Sequence, residues 1–172
     1  DTDCGGIVNY NYFSGEPVAH IQDGRPLFVR TQNANFNLAN FMRAQIYSTM
    51  ATLKIGMEIL EKENVQLDCL MGHGGLFKTP VVGQRLMAGA MNTPVAVMET
   101  AGEGGAWGIA VLAAYAAENN GKPLEAYLDE KVFSKYKSSV VEPSKEDADG
   151  FNAYMKLYKK GLAVQKSAVD NL

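Results

Sequence analysis

The residues of this chain that could meet a ligand with bare backbone are the glycines of Met71-Gly72-His73-Gly74-Gly75-Leu76-Phe77-Lys78-Thr79-Pro80. An apolar run ahead of them, Val65 to Met71, reads as a strand, and Val81 to Met91 behind them reads as a helix. Glycines at such a seam remove side chains where a ligand could approach the main chain. A helix N-terminus at the same place would turn free N–H groups toward an anion. The stretch meets no strict fingerprint. Phe77 stands where a P-loop has the glycine directly before its lysine, and also where Gly-x-Gly-x-x-Gly has its last glycine. A tight structural turn without a ligand would use the same glycines.

A second turn of the same kind follows. Val95 to Met98 reads as a short buried strand. Glu99-Thr100-Ala101-Gly102-Glu103-Gly104-Gly105 leads from it into a helix of small residues, Ala106 to Ala117. Small residues let a backbone or a flat ligand come close, and close helix–sheet packing asks for the same residues. Strands joined through helices run parallel with right-handed crossovers. Both turns then leave the carboxyl ends of parallel strands and share one rim, where open α/β sheets bind ligands. Two such turns side by side predict a nucleotide between them. They also set a geometric condition: Gly74 and Gly104 must be adjacent, on a surface that the protein's own side chains leave uncovered.

The remaining elements position these turns. Ile7 to Phe13, Val18 to Gln22 and Leu27 to Thr31 read as three strands of an antiparallel meander, with turns at Ser14–Pro17 and Asp23–Pro26. From an N-cap at Asn37, apolar residues at Leu38, Phe41, Met42, Ile46, Met50, Leu53, Met57 and Leu60 keep helical spacing to about Glu63. Its methionines read as core. Asn92-Thr93-Pro94 breaks the helix behind the first glycine turn, and Asn119 to Pro123 ends the one behind the second. Leu124 to Lys131 reads as a short helix. Phe133 to Val141 is ambiguous, with Val140-Val141 a candidate extended pair. Ser144 to Asp147 reads as a cap opening a final amphipathic helix to about Val169.

Composition narrows the classes. The 172 residues suit one domain or a large half of a two-domain enzyme, and 47% hydrophobic residues can form a core. A net charge of -3 gives no reason to expect nucleic acid or an acidic membrane surface. No apolar run reaches bilayer length. Cys4 and Cys69 read as reduced, largely buried thiols of a cytoplasmic protein. The chain opens on Asp1 in a strand pattern, so it is expected to be part of something longer.

The element order is that of the ribonuclease H-like core used twice in actin-like ATPases, and here the residues resemble a known family. The run Gly72 to Pro80, then Gln84, Asn92-Thr93-Pro94-Val95 and Ala101-Gly102-Glu103-Gly104-Gly105-Ala106-Trp107-Gly108 through Ala114 resembles the C-terminal domain of the FGGY carbohydrate kinases. The opening Cys4-Gly5-Gly6, Asn9-Tyr10-Asn11-Tyr12 and Ser14-Gly15-Glu16 resemble the xylulose kinase-like branch.

The resemblance implies an α/β fold of ribonuclease H-like (actin-like ATPase) type. Three antiparallel strands lead into parallel strands, with helices on both faces and a C-terminal helical tail. It implies that residues 1–172 form the nucleotide-side domain of a two-domain kinase using ATP and Mg2+ to phosphorylate a ketose. The N-terminal domain would hold most of the sugar site, the Asp-x-Gly-Thr phosphate hairpin and the catalytic base. In this chain, Gly74 and Gly75 would lie against the α-phosphate and ribose, and Leu76 and Thr79 on the adenine side. Gly104, Gly105 and Ala106 would form the facing wall. Thr2 and Asp3 would belong to a second phosphate hairpin. No metal ligand and no catalytic base is assigned, and the chain alone is expected to be inactive.

His73, Phe77-Lys78-Thr79 and Trp107 depart from the family's pattern. His73 reads as a hydrogen-bonded structural residue; Lys78 reads equally as a phosphate partner or a solvated lysine. A non-catalytic actin-like nucleotide module and a doubly wound enzyme with another cofactor are the competing classes. An Asp-x-Gly-Thr upstream would decide between them.

Overall fold

A computed structural model describes residues 1–172 other than Pro80 and Tyr136, and the side chains of all described residues except Glu103 and Lys135. Pro80, the end of the first glycine stretch, and Tyr136, inside the ambiguous segment, thus lie outside the described residues. The rest falls into two compact units. Unit 1 comprises Asp1–Leu67, Gly89–Asn92 and Pro143–Leu172; unit 2 comprises Asp68–Ala88 and Thr93–Glu142.

Unit 1 is built on β1 (Ile7–Tyr10), paired antiparallel with β2 (Leu27–Arg30) in the register Ile7↔Arg30 to Tyr10↔Leu27. All four β1 residues are buried, because helices α1 (Leu38–Lys62) and α5 (Lys145–Asn171) pack on that strand. The Asn37 side chain caps α1 by accepting the Asn40 N–H at 2.9 Å. Ser144 Oγ accepts the Asp147 N–H at 3.1 Å and donates to the Asp147 carboxylate at 2.8 Å, capping α5. The core is aromatic. Tyr47 meets the rings of Phe151 at 4.8 Å and Tyr154 at 5.3 Å, while the Tyr10 hydroxyl donates to the Tyr158 carbonyl at 2.7 Å.

The middle strand of the expected meander is absent. Val18 and Ala19 instead complete a 3-10 turn, Pro17–Ala19, and a single bridge joins Glu16 to Ile21. Proline fixes the first φ, the Glu16 carboxylate caps the Val18 N–H at 3.0 Å, and His20 sits at φ 55. These local bonds close a loop before a strand can extend, so β2 pairs with β1 directly and the antiparallel part has two strands, not three.

Unit 2 holds a three-stranded sheet in the order β3–β4–β5. β3 (Leu70–Gly72) and β4 (Val95–Met98) are parallel, with Leu70 opposite Val95 and Gly72 opposite Val97. The helix α2 (Val82–Met91) connects them. β5 (Ser138–Val141) runs antiparallel along the other edge of β4. Between β4 and β5 lie α3 (Gly104–Glu118) and α4 (Leu124–Tyr127), the latter continuing through a π turn, Leu128–Val132.

Strand β3 is shorter than the expected Val65–Met71, and Val65 to Cys69 form no strand. Cys69 is accordingly exposed, which corrects the expectation of two buried thiols; Cys4 is fully buried. Burial in apolar surroundings pushes the Cys4 thiol up to about 12.

Candidate functional site

The two glycine turns do meet. After β3 the chain enters a 3-10 turn, Gly75–Lys78, and after β4 another, Ala101–Glu103, and these pack on each other. The Gly74 N–H donates to the Ala101 carbonyl at 2.7 Å. Parallel pairing of β3 with β4 brings both exits to the same end of the sheet, which meets the adjacency half of the condition; the surface is uncovered at Gly74 but not at Gly104, which lies under His73 and is not the bare facing wall expected of it.

The glycines of this rim have two different jobs. A Cβ on Gly72 would strike the Phe77 ring at 2.6 Å. Phe77, which breaks both phosphate-loop patterns, is therefore the lid on the end of β3. A Cβ on Gly104 would meet His73 Cβ at 2.8 Å and Nδ1 at 3.0 Å, so His73 covers Gly104. Gly102 carries the stem of Lys78, whose Cε lies 3.2 Å from a built Cβ. These three are packing glycines that tie the turns together. Gly74, Gly75 and Gly105 are different: a Cβ on any of them would find nothing within 4 Å. Their Cα faces are bare and open. Gly74 also needs glycine for its own φ of 99.

The helix expected over Val81 to Met91 is α2, Val82–Met91, with the 3-10 turn Gly75–Lys78 between it and Gly74. The second turn passes straight into α3, which starts at Gly104, two residues ahead of the expected Ala106.

A cavity of about 510 Å³ opens beside the first turn, within the size range of small-molecule sites. Phe77, Thr79 and Val81 bound it on one side, Met98 and Glu99 at the exit of β4, and Lys137 with Ser138 at the start of β5. Its floor is held by Gln84. The Gln84 amide donates to the Val95 carbonyl at 2.7 Å and the Ser139 carbonyl at 2.8 Å, fastening α2 to β4 and β5. Thr79 reaches this cavity. Leu76 is instead packed on Gly83, whose built Cβ meets Leu76 Cγ at 3.0 Å. Ala106 is exposed on the first turn of α3 beside Gly105.

Sequence reasoning missed Phe77, Glu99, Lys137 and Ser138 as cavity walls. β5 follows β4 after 39 intervening residues, and only its end, the expected extended pair Val140-Val141, was legible. Phe77 could have been found by asking which bulky neighbour fills the space that Gly72 leaves.

Thr2 and Asp3 belong to unit 1. Thr2 packs against Gly150 of α5, and the Asp3 carboxylate accepts the Gly5 N–H at 2.9 Å. They border an open hollow together with Asp1, Gly5, Asn35 and Glu146. Three carboxylates there oppose a bare phosphate. Among the described residues, no group of three or more His, Cys, Asp or Glu is placed to hold a metal ion.

A family model for the FGGY family of carbohydrate kinases, C-terminal domain, matches residues 1–117. No curated protein sequence matches the chain. Among solved structures, xylulose kinase from Lactobacillus acidophilus with bound ligand is similar over 98% of this chain and 34% of its own. The TM-score is 0.74 at 20% identity. Gluconate kinase from the same organism covers 95% of this chain and 32% of its own, with TM-score 0.71 and 20% identity. Glycerol kinase from Plasmodium falciparum, solved with ADP, covers 96% and 32%, with TM-score 0.69 and 18% identity. The chain thus spans about a third of the length of these proteins. Such likenesses establish the fold, the ribonuclease H-like, actin-like ATPase fold of these kinases. The family match extends across both glycine turns, and on that ground the chain belongs to the FGGY family of carbohydrate kinases, as a C-terminal domain.

Proposed function

We propose that this chain is the nucleotide-side domain of a two-domain, ATP-dependent carbohydrate kinase that phosphorylates a xylulose-like ketose. The observation that carries the reading is the open, side-chain-free backbone at Gly74, Gly75 and Gly105, at the adjoining exits of two parallel strands. A Cβ would enter that space, and among the described residues nothing lies within 4 Å of it. Gly74 and Gly75 border the α-phosphate and ribose, and Gly105 with Ala106 the facing wall. The cavity behind Phe77 and Thr79 takes the adenine, with Val97 and Met98 as apolar walls. Leu76 shapes this side indirectly, by seating α2.

Phosphoryl transfer asks a protein for positioning, charge neutralisation and a base for the attacking hydroxyl. This domain supplies positioning. The base and most sugar contacts belong to an N-terminal domain; the similar structures are named for three different substrates. Mg2+ neutralises phosphate charge when bound, and this chain takes it as part of the Mg·ATP complex. Unit 2 carries the nucleotide reading without Thr2 and Asp3. Reliance on ATP and free thiols fits the cytoplasm.

Calorimetric titration of the chain with Mg·ATP and Mg·ADP tests this reading. Saturable binding of both, unaffected by a ketose, is expected, with no sugar-dependent ATP turnover. Absence of nucleotide binding at ~1 mM refutes the nucleotide site. Turnover by the chain alone refutes the placement of the base elsewhere.

A further inference from the structure

The cavity of unit 2 carries two charged side chains that the fold does not use. Glu99 follows β4 and Lys137 precedes β5, and both line the cavity. The Glu99 N–H donates to the Lys137 carbonyl at 3.2 Å, which extends the Met98↔Ser138 register by one pair. Opposite residues of an antiparallel pair put their side chains on one face, as do residues two apart on a strand. Glu99 and Lys137 therefore share a face with Val97 and Ser139. Gln84 lies on that face, and its polar atoms are already committed: the amide N–H groups go to the Val95 and Ser139 carbonyls, and the oxygen accepts the Ser139 hydroxyl at 3.3 Å. The Thr79 and Ser138 hydroxyls either donate or accept, so they select no ligand. Glu99 only accepts and Lys137 only donates. Both are exposed, and among the described residues neither side chain has an ion pair or hydrogen bond.

We infer that Glu99 and Lys137 read the nucleobase in this cavity and admit guanine at least as well as adenine, so that GTP serves as a phosphoryl donor beside ATP; this rests on the nucleotide site proposed above. The occupant follows from the walls. Phe77, Val97 and Met98 offer apolar surface to a flat ring, and the charged pair asks for a donor and an acceptor on one edge of that ring. Adenine presents one of each, its N6 amine and a ring nitrogen. Guanine presents more: O6 accepts from Lys137, while the N1–H and the N2 amine together give the Glu99 carboxylate two bonds where adenine gives one. Uracil sets a single N–H between two carbonyl oxygens, so an acceptor always stands beside the donor that Glu99 needs, and its one ring covers less of the apolar wall.

The test is calorimetric titration of the 172-residue chain with Mg·ADP, Mg·GDP and Mg·UDP, repeated on Glu99→Gln and Lys137→Met. Mg·GDP should bind as tightly as Mg·ADP or more so, and Mg·UDP at least ~tenfold more weakly than either. Glu99→Gln keeps the length of the side chain but turns one acceptor into a donor. It should weaken Mg·GDP at least ~tenfold and Mg·ADP less, so the ratio of the two affinities moves toward adenine. Lys137→Met should weaken both purines. Both side chains are exposed, so melting temperatures should stay within about 2 °C of the parent, which separates a lost contact from a lost fold. If Mg·ADP binds and Mg·GDP binds ~tenfold more weakly, the inference is overturned and the nucleotide site stands. If Glu99→Gln leaves the ratio where it was, the base is not read by Glu99, and the inference falls in the same way. If none of the three nucleotides binds at ~1 mM, the nucleotide site itself is refuted and base reading goes with it.

Discussion

Replacing Gly75 separates a ligand glycine from a packing glycine. A Cβ there meets nothing within 4 Å, and Gly75 is not among the positive-φ glycines, so alanine fits without strain. Removing glycine's freedom in the unfolded chain stabilises by about 0.4–1 kcal/mol. In a chain of this size that raises the melting temperature by about 1–4 °C. Gly75→Leu should likewise fold, but its side chain occupies the space assigned to ribose and phosphate. Loss of close contact should weaken Mg·ATP binding at least ~tenfold, or about 1.4 kcal/mol. Gly104→Ala should do the opposite. Its Cβ meets His73 at 2.8 Å, and overpacking of that kind costs about 1–3 kcal/mol. His73→Gly in the same chain, which removes the clashing His73 Cβ as well as the ring, should restore part of it. Scanning fluorimetry and nucleotide titration on the four variants read both quantities. If Gly75→Leu binds Mg·ATP as tightly as the parent, the bare backbone is not a ligand surface. If Gly75→Ala melts several degrees lower, the open space assigned to it is wrong.

Other consequences are independent of the nucleotide. Gln84→Leu leaves the Val95 and Ser139 carbonyls without their shared donor, and urea unfolding should show a loss of about 1–3 kcal/mol. Gly161→Ala drives a Cβ into the buried Tyr10 hydroxyl; the variant should be destabilised by about 1–3 kcal/mol, and Tyr10→Phe should recover part of that loss. Native protein should react with a thiol reagent at Cys69 only, with Cys4 becoming reactive on unfolding. Cys4 is held protonated in the folded state, its pKa pushed up from the ordinary 9.0 to about 12, and burial likewise raises Tyr10, Tyr47, Tyr154 and Tyr158. The folded state therefore binds more protons than the unfolded one above pH 9. Stability should be complete below that pH and fall as it rises toward 12. A urea midpoint that is flat or rising from pH 8 to 10 would contradict the burial of these groups.

Much of the architecture was legible in the residues because it is written in short-range periods. Helices α1 and α5 follow from apolar spacing near 3.6 and from caps whose hydrogen bonds are local, at Asn37 and Ser144. The parallel pair β3 and β4 follows from strand, helix and strand in succession, and with it the shared rim of the two glycine turns. What sequence could not say is which glycines are empty. A missing Cβ looks the same whether the space is taken by Phe77, as at Gly72, or left open, as at Gly75. That depends on side chains arriving from elsewhere. The same is true of Cys69, which an apolar run placed inside but a shortened β3 leaves outside. It is true also of α3, whose uncharged run calls for an interior while none of its described residues is buried. Local chemistry decides which elements form; only packing decides which of their surfaces remain for something else to fill.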